Sequence, residues 1–171
     1  MKYIPLSQSL YIENRKKFVT HLKPKSIAIF NSNDEMPFKG DQTFKFTQHP
    51  DLLWLSGIDQ EQSTLVLFPD SPLPQYREIL FVRKTNEHIA IWEGHKYSQA
   101  EAQEASGIKT VLWNDAFESV VPMLMHHAEY CYLNINENDR HAWNVPYKDL
   151  RFANEWTQRF PTHKFERSGP L

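Results

Sequence analysis

With 171 residues, of which 40% are hydrophobic and 23% charged, the chain has an ordinary globular composition and the length of one compact domain. Its 19 Lys and Arg against 21 Asp and Glu give a formal charge of -2, which removes any bulk electrostatic case for nucleic acid or an anionic membrane. The single cysteine, Cys131, rules out an intramolecular disulfide and suits a reducing compartment. No run reaches the ~18 apolar residues of a membrane span and no basic-then-apolar leader opens the chain, so the expected location is cytoplasmic.

Pro5 to Leu22 is predicted as the first helix, capped by Ser7 or Ser9, with Tyr11, Phe18 and Leu22 on one face. Arg15, Lys16 and Lys17 fall largely off that face and are expected to be solvated. Ser26 to Phe30 is a short apolar strand, and Asn31 to Asp34 a polar turn before Met36-Pro37-Phe38.

Phe44 to Pro69 is the stretch around which the rest is organised. His49-Pro50-Asp51 is a helix start: proline suits a first turn and aspartate complements the unpaired amides there. Leu52, Leu53, Trp54 and Leu55 then form one short buried turn closed by Gly57. Ser63 to Phe68 is apolar enough for an interior strand, stopped by Pro69. Asp70 to Gln75 is an exposed, proline-bearing connection to a strand over Tyr76 to Arg83, and the two strands should pair as an antiparallel hairpin.

Thr85 to Tyr97 is a loop in which Gly94 permits unusual backbone angles beside Trp92, an indole that either caps the core or projects from the loop. Ser98 with Glu101 forms a capping box opening a helix to Ser106, which Gly107 closes. Lys109 to Trp113 is a strand, and Asn114 or Asp115 caps a helix through Met125 that Pro122 should kink or split. Tyr130 to Ile135 returns to the sheet with Cys131 as a buried thiol, Asn134 to Asn138 marks a loop, and Tyr147 to Arg159 is the last helix. The charged tail from Phe160, with Pro161, Gly169 and Pro170, has the composition of a linker into another domain. Alternation of strands and helices, interrupted by one hairpin, gives an α/β fold: a mixed sheet of about five to six strands flanked by helices.

Three segments, PFK at 37–39, FKFTQHPDLLWLSGIDQEQSTLVLFPD at 44–70 and IAIWEGHKYSQAEAQEASGI at 89–108, together resemble the amino-terminal domain of the Xaa-Pro aminopeptidases (aminopeptidase P), a domain shared more loosely with prolidase and creatinase. The chain departs from the family pattern by extra residues between Lys39 and Lys45. The resemblance implies that residues 1–171 are a single non-catalytic amino-terminal domain, with the metallopeptidase domain absent from this chain. It implies a parent enzyme that releases the residue preceding proline, using two divalent ions, by the resemblance manganese, held by two aspartates, a histidine and two glutamates of the missing domain. Trp92 matches the family tryptophan that reaches a neighbouring subunit's active site, and Lys39 the basic residue near the cleft between domains. The implied role here is to shape the pocket and hold subunits together in a homo-oligomer, with peptides carrying proline at the second position as partners. The alternatives are a catalytically dead binding module, or the matching domain of a prolidase or creatinase relative.

The residues themselves supply no substitute for the missing chemistry. His126-His127 are adjacent, so on a helix their rings point about 100° apart and cannot grip one ion. His88 and His95 flank Trp92 without an accompanying cysteine or carboxylate pair. There is no nucleophile elbow, phosphate-binding loop or dinucleotide fingerprint. The chain alone is expected to be inactive, with no catalytic or metal-binding residue and no cofactor of its own.

Overall fold

A computed structural model describes residues 6–40, 42–85, 94–135 and 148–169. Trp92, His88 and most of the loop predicted after Asn134 lie outside the described residues.

The first helix, α1 (Gln8–Val19), starts where Ser7 accepts the Ser9 amide at 3.3 Å. It leads into β1 (Ser26–Asn31) and a small antiparallel ribbon of β2 (Pro37–Lys39) and β3 (Gln42–Thr43). Helix α2 (Pro50–Ser56) has His49 as cap and Pro50 in its first turn, and ends at Gly57, whose φ of 72° places it in the left-handed region. The hairpin β4 (Thr64–Leu67) and β5 (Glu78–Val82) follows as expected. Helix α3 (Gln99–Ser106) carries the complete Ser98–Glu101 capping box. The chain closes with β6 (Thr110–Trp113), α4 (Phe117–Met125), β7 (Tyr130–Leu133), α5 (Lys148–Arg159) and β8 (Lys164–Arg167).

Six strands form one mixed sheet in the order β6-β5-β4-β1-β7-β8, so the strand of the organising stretch, β4, lies in its centre beside β1. Pairing is parallel for β5 with β6, β1 with β7 and β7 with β8, and antiparallel for β1 with β4 and β4 with β5. The period-2 geometry of a strand sends alternate residues to opposite faces. Ile27, Ile29, Val66, Ile79, Phe81, Cys131 and Leu133 meet α4 and α5 on one side, while Ala28, Phe30, Leu65, Leu67, Leu80 and Val82 meet α1, α2 and α3 on the other. Burial on both faces explains why these strands read as continuous apolar runs without alternation. Trp156 anchors the first layer, stacked on Phe152 at 4.8 Å and tilted against Phe117 and Phe160. Complete burial of its indole contributes roughly 4–6 kcal/mol of transfer free energy, offset in part by an indole N–H that is buried without a partner.

Several expectations are corrected. The tail predicted as a linker contains β8, which pairs with β7; its charged KFER sequence is what an edge strand carries to prevent further pairing. The extra residues after Lys39 supply β3, which pairs with β2 to make the ribbon. Trp54 is half exposed, so the α2 turn buries Leu52 and Leu55 but not its indole. Asn31 belongs to β1 and is buried with Ser32, where a surface turn was expected. Pro122 sits inside the single helix α4, which runs only three residues past it, while the preceding residues, Asn114–Ala116, form a separate 3-10 turn.

Arg15 overturns the solvated reading most clearly: its side chain is fully buried. Its Nε donates to Glu78 Oε2 at 3.1 Å, and its Nη1 donates to Leu55 O at 2.8 Å and Ser106 O at 3.0 Å. Those carbonyls end α2 and α3, so one guanidinium satisfies orphan acceptors at the negative ends of two helices. Burial pushes the Arg15 pKa down, and Glu78 opposes that shift.

Candidate functional site

Strands β1, β7 and β8 run parallel, so their carboxyl ends, at Asn31, Leu133 and Arg167, open on the same edge of the sheet. In open α/β sheets this is the edge where crevices form. Here it borders a cleft of about 810 Å³ lined by Asn31, Asp34, Phe44, Asn134, Lys148 and Gly169, among others. A smaller cavity of about 230 Å³ is lined by Asn33, Asp34, Glu35, Glu61, Gln62 and Lys148.

The cleft floor is a fixed hydrogen-bond lattice. The Asn31 amide donates to Asn134 Oδ1 and Asn134 Nδ2 donates back to Asn31 O, both at 3.0 Å. Thr64 Oγ1 donates to Asn31 Oδ1 at 3.0 Å, tying β4 to the same point. Ser32 and Ser63 exchange two further bonds, Ser32 N to Ser63 O at 2.9 Å and Ser63 N to Ser32 Oγ at 3.2 Å. On one wall, Arg151 of α5 grips Asp34 through both carboxylate oxygens at 2.8 and 2.9 Å. On the other, the ribbon contributes Met36, Phe44 and Lys45, with Phe44 packed edge-on against Phe38 at 4.9 Å.

Lys148, the first residue of α5, lines both cavities. Burial pushes its ammonium below the ordinary lysine value; Asp34 opposes the shift and Arg151 adds to it. Glu61, 5% exposed, accepts from Arg83 at 3.1 Å and from Lys96. Burial raises its carboxyl pKa, but the bonds from Lys96, its own amide and Arg83 outweigh this and hold it below the usual range. Beside it, Tyr97 N donates to Gln60 Oε1 at 2.7 Å. The two ends of the segment that carries Trp92 are therefore pinned to adjacent side chains of one loop.

Of the residues singled out in the sequence, Trp92 lies outside the described residues. Lys39 is exposed on β2, and the cleft is lined by its ribbon neighbours Met36, Phe44 and Lys45 but not by Lys39 itself. His126 ends α4 with its ring against Phe160 at 6.4 Å, and His95 lies 3.2 Å from Glu101. Among the described residues no group of three or more His, Cys, Asp or Glu side chains could hold a metal ion. Also among them, no helix is long and apolar enough to cross a membrane. Asn31, Asn134, Asp34, Arg151 and Lys148 were not singled out as a set. One signal was available, since two apolar strand runs, SIAIFN and YCYLN, each end on asparagine.

Fold and site together define a class: a three-layer mixed-sheet domain with an open cleft at the carboxyl ends of its parallel strands. The family profile described as aminopeptidase P, N-terminal domain, matches residues 11–132, and the chain belongs to that family. Human Xaa-Pro aminopeptidase 3 is 24% identical over 129 residues, 70% of this chain and 25% of that protein. A Bacillus anthracis structure assigned to aminopeptidase P superposes with a TM-score of 0.84 at 24% identity, over 96% of this chain and 39% of that one. Pseudomonas aeruginosa aminopeptidase PepP gives 0.74 at 19% identity, over 96% and 36%. Escherichia coli aminopeptidase P with the inhibitor Pro-Leu gives 0.70 at 17%, again over 96% and 36%. At these identities the structural matches bear on the fold, and the chain spans between a quarter and two fifths of the relatives' length.

Proposed function

We propose that this chain is the pocket-shaping amino-terminal domain of a metal-dependent Xaa-Pro aminopeptidase. Family membership over residues 11–132 carries the reading, and the cleft at the strand ends supplies the wall it requires. In this reading the chemistry belongs to a second domain holding two divalent ions, assigned here to manganese; the described residues do not fit such a centre. A bond before proline involves a tertiary amide that most proteases do not accommodate, and a second domain can narrow the site so that only a short chain end enters. Trp92, on a segment pinned at Arg83 and Lys96 to Glu61, walls the pocket of a neighbouring subunit in a homo-oligomer, and Lys39 has a lesser part in the same contact. The enzyme works in the cytoplasm on peptides with proline second.

The test is hydrolysis of X-Pro peptides of increasing length by this domain joined to its metal-bearing partner. Trp92→Ala should lower turnover and weaken discrimination between short and long peptides. Full activity of Trp92→Ala on every length contradicts the assigned role.

A further inference from the structure

The cleft holds hydrogen-bond donors that the protein does not use. Asn31 is 3% exposed and its Oδ1 accepts from Thr64, yet its Nδ2, on a residue lining the cleft, has no partner. A buried amide N–H left without an acceptor is costly, and an acceptor arriving in the cleft would relieve that cost. Lys148 presents a second donor. No hydrogen bond or ion pair ties its ammonium to the described residues, and Asp34, the carboxylate whose charge acts on it, is already held by Arg151 Nη2 through both of its oxygens. The neighbouring Asp149 also lines the cleft, and its Oδ1 accepts the Leu150 amide at 2.8 Å. The first turn of the twelve-residue α5 adds the positive end of a helix dipole. Two donors remain at the cleft, one of them charged and partly desolvated.

We infer that Lys148 and the Asn31 side-chain amide form a subsite for a carboxylate, the free C-terminal carboxylate of a short peptide lying in the cleft. The inference rests on the pocket-wall reading and adds the identity of the recognised group. A cleft of about 810 Å³ falls in the size range of small-ligand pockets, which suits a peptide of a few residues and excludes a folded chain. The consequence is selectivity: a peptide with a free C-terminus gains a charge-assisted bond that its amidated form lacks. Short free acids are favoured over amides, and over longer peptides whose carboxylate lies outside the cleft.

The experiment is titration of the ¹⁵N-labelled 171-residue chain with Ala-Pro-Ala and with its C-terminal amide, followed at the Asn31 side-chain amide. The free acid should shift that resonance saturably and bind about tenfold more tightly than the amide, the worth of one charge-assisted bond. Lys148→Met should reduce the preference to less than about twofold, and Lys148→Arg, which restores the charge, should recover most of it. A dispersed spectrum for each variant shows that it is folded. Equal binding of acid and amide, no binding of either, or a preference unchanged in Lys148→Met overturns the subsite. Because the readout needs no metal and no turnover, the subsite can fail while X-Pro hydrolysis by the joined domains stands, and hydrolysis can fail while the carboxylate still binds.

Discussion

Replacing Arg15 with methionine is the sharpest test of how the helical layer is held together. Methionine keeps much of the apolar stem but deletes every donor. Three acceptors lose their partner: Glu78 Oε2, Leu55 O and Ser106 O. Glu78 is 38% exposed and can be rehydrated, so its share is small, roughly 0.5–1 kcal/mol. The two helix-terminal carbonyls meet the guanidinium in a buried setting, and each orphaned acceptor costs about 1–3 kcal/mol. Against these losses stands relief from burying a cation whose Nη2 has no partner. The net expected destabilisation is about 3 kcal/mol. For a chain of this size that lowers Tm by roughly 6–12 °C. Urea unfolding at neutral pH measures it as a lower midpoint with an unchanged slope, while Glu78→Gln should move the midpoint far less. An Arg15→Met variant within about 1 kcal/mol of the parent would refute the claim that this residue ties α2 and α3 to α1.

Glu61→Gln should cost about 2 kcal/mol at pH 7, because Arg83 and Lys96 lose a buried countercharge. The Glu61 pKa is depressed on folding, so its contribution is complete above the unfolded value near pH 4 and is lost as pH falls through the folded value. The gap between parent and variant in urea unfolding should therefore close in acid, and a gap that widens there contradicts the assignment. Gly57→Ala should cost about 3 kcal/mol, since φ is 72° and a Cβ would lie 2.4 Å from the Tyr11 ring. Gly40→Ala, at φ 58° with nothing within 4 Å of a Cβ, should cost about 1 kcal/mol; equal losses would show that the Tyr11 contact does not matter. Lys148→Met should leave the chain as stable at pH 7 or raise stability by about 0.5–1 kcal/mol, because the folded state opposes protonation of this lysine. A marked loss in thermal unfolding would make Lys148 a structural residue.

What could be read from the sequence was whatever is decided locally. The Ser98–Glu101 box, the Gly57 and Gly107 closures and the β4–β5 hairpin depend on residues a few positions apart, and each formed as expected. Features decided by distant partners were missed. Arg15 sits in a run of cations that resembles a solvated helix side, and only the convergence of α2 and α3 turns it inward. Lys164–Arg167 is charged and bordered by proline and glycine, and only the open edge of β7 makes it a strand. Asn31 and Asn134 lie 103 positions apart, so their exchange of bonds, and with it the cleft floor, depends on parallel pairing that periodicity does not reveal. The family membership was legible because its motifs combine aromatic turn, strand and Trp-x-Gly segment in fixed order; the cleft's polar residues form no such contiguous word.

The central claim, that this chain is a wall whose chemistry lies in another domain, is tested most directly by metal analysis and peptide hydrolysis on the purified 171 residues. The account predicts no stoichiometric manganese after dialysis and no release of the residue before proline. Tightly bound divalent ions in stoichiometric amount, or turnover of an X-Pro peptide by these residues alone, would contradict it.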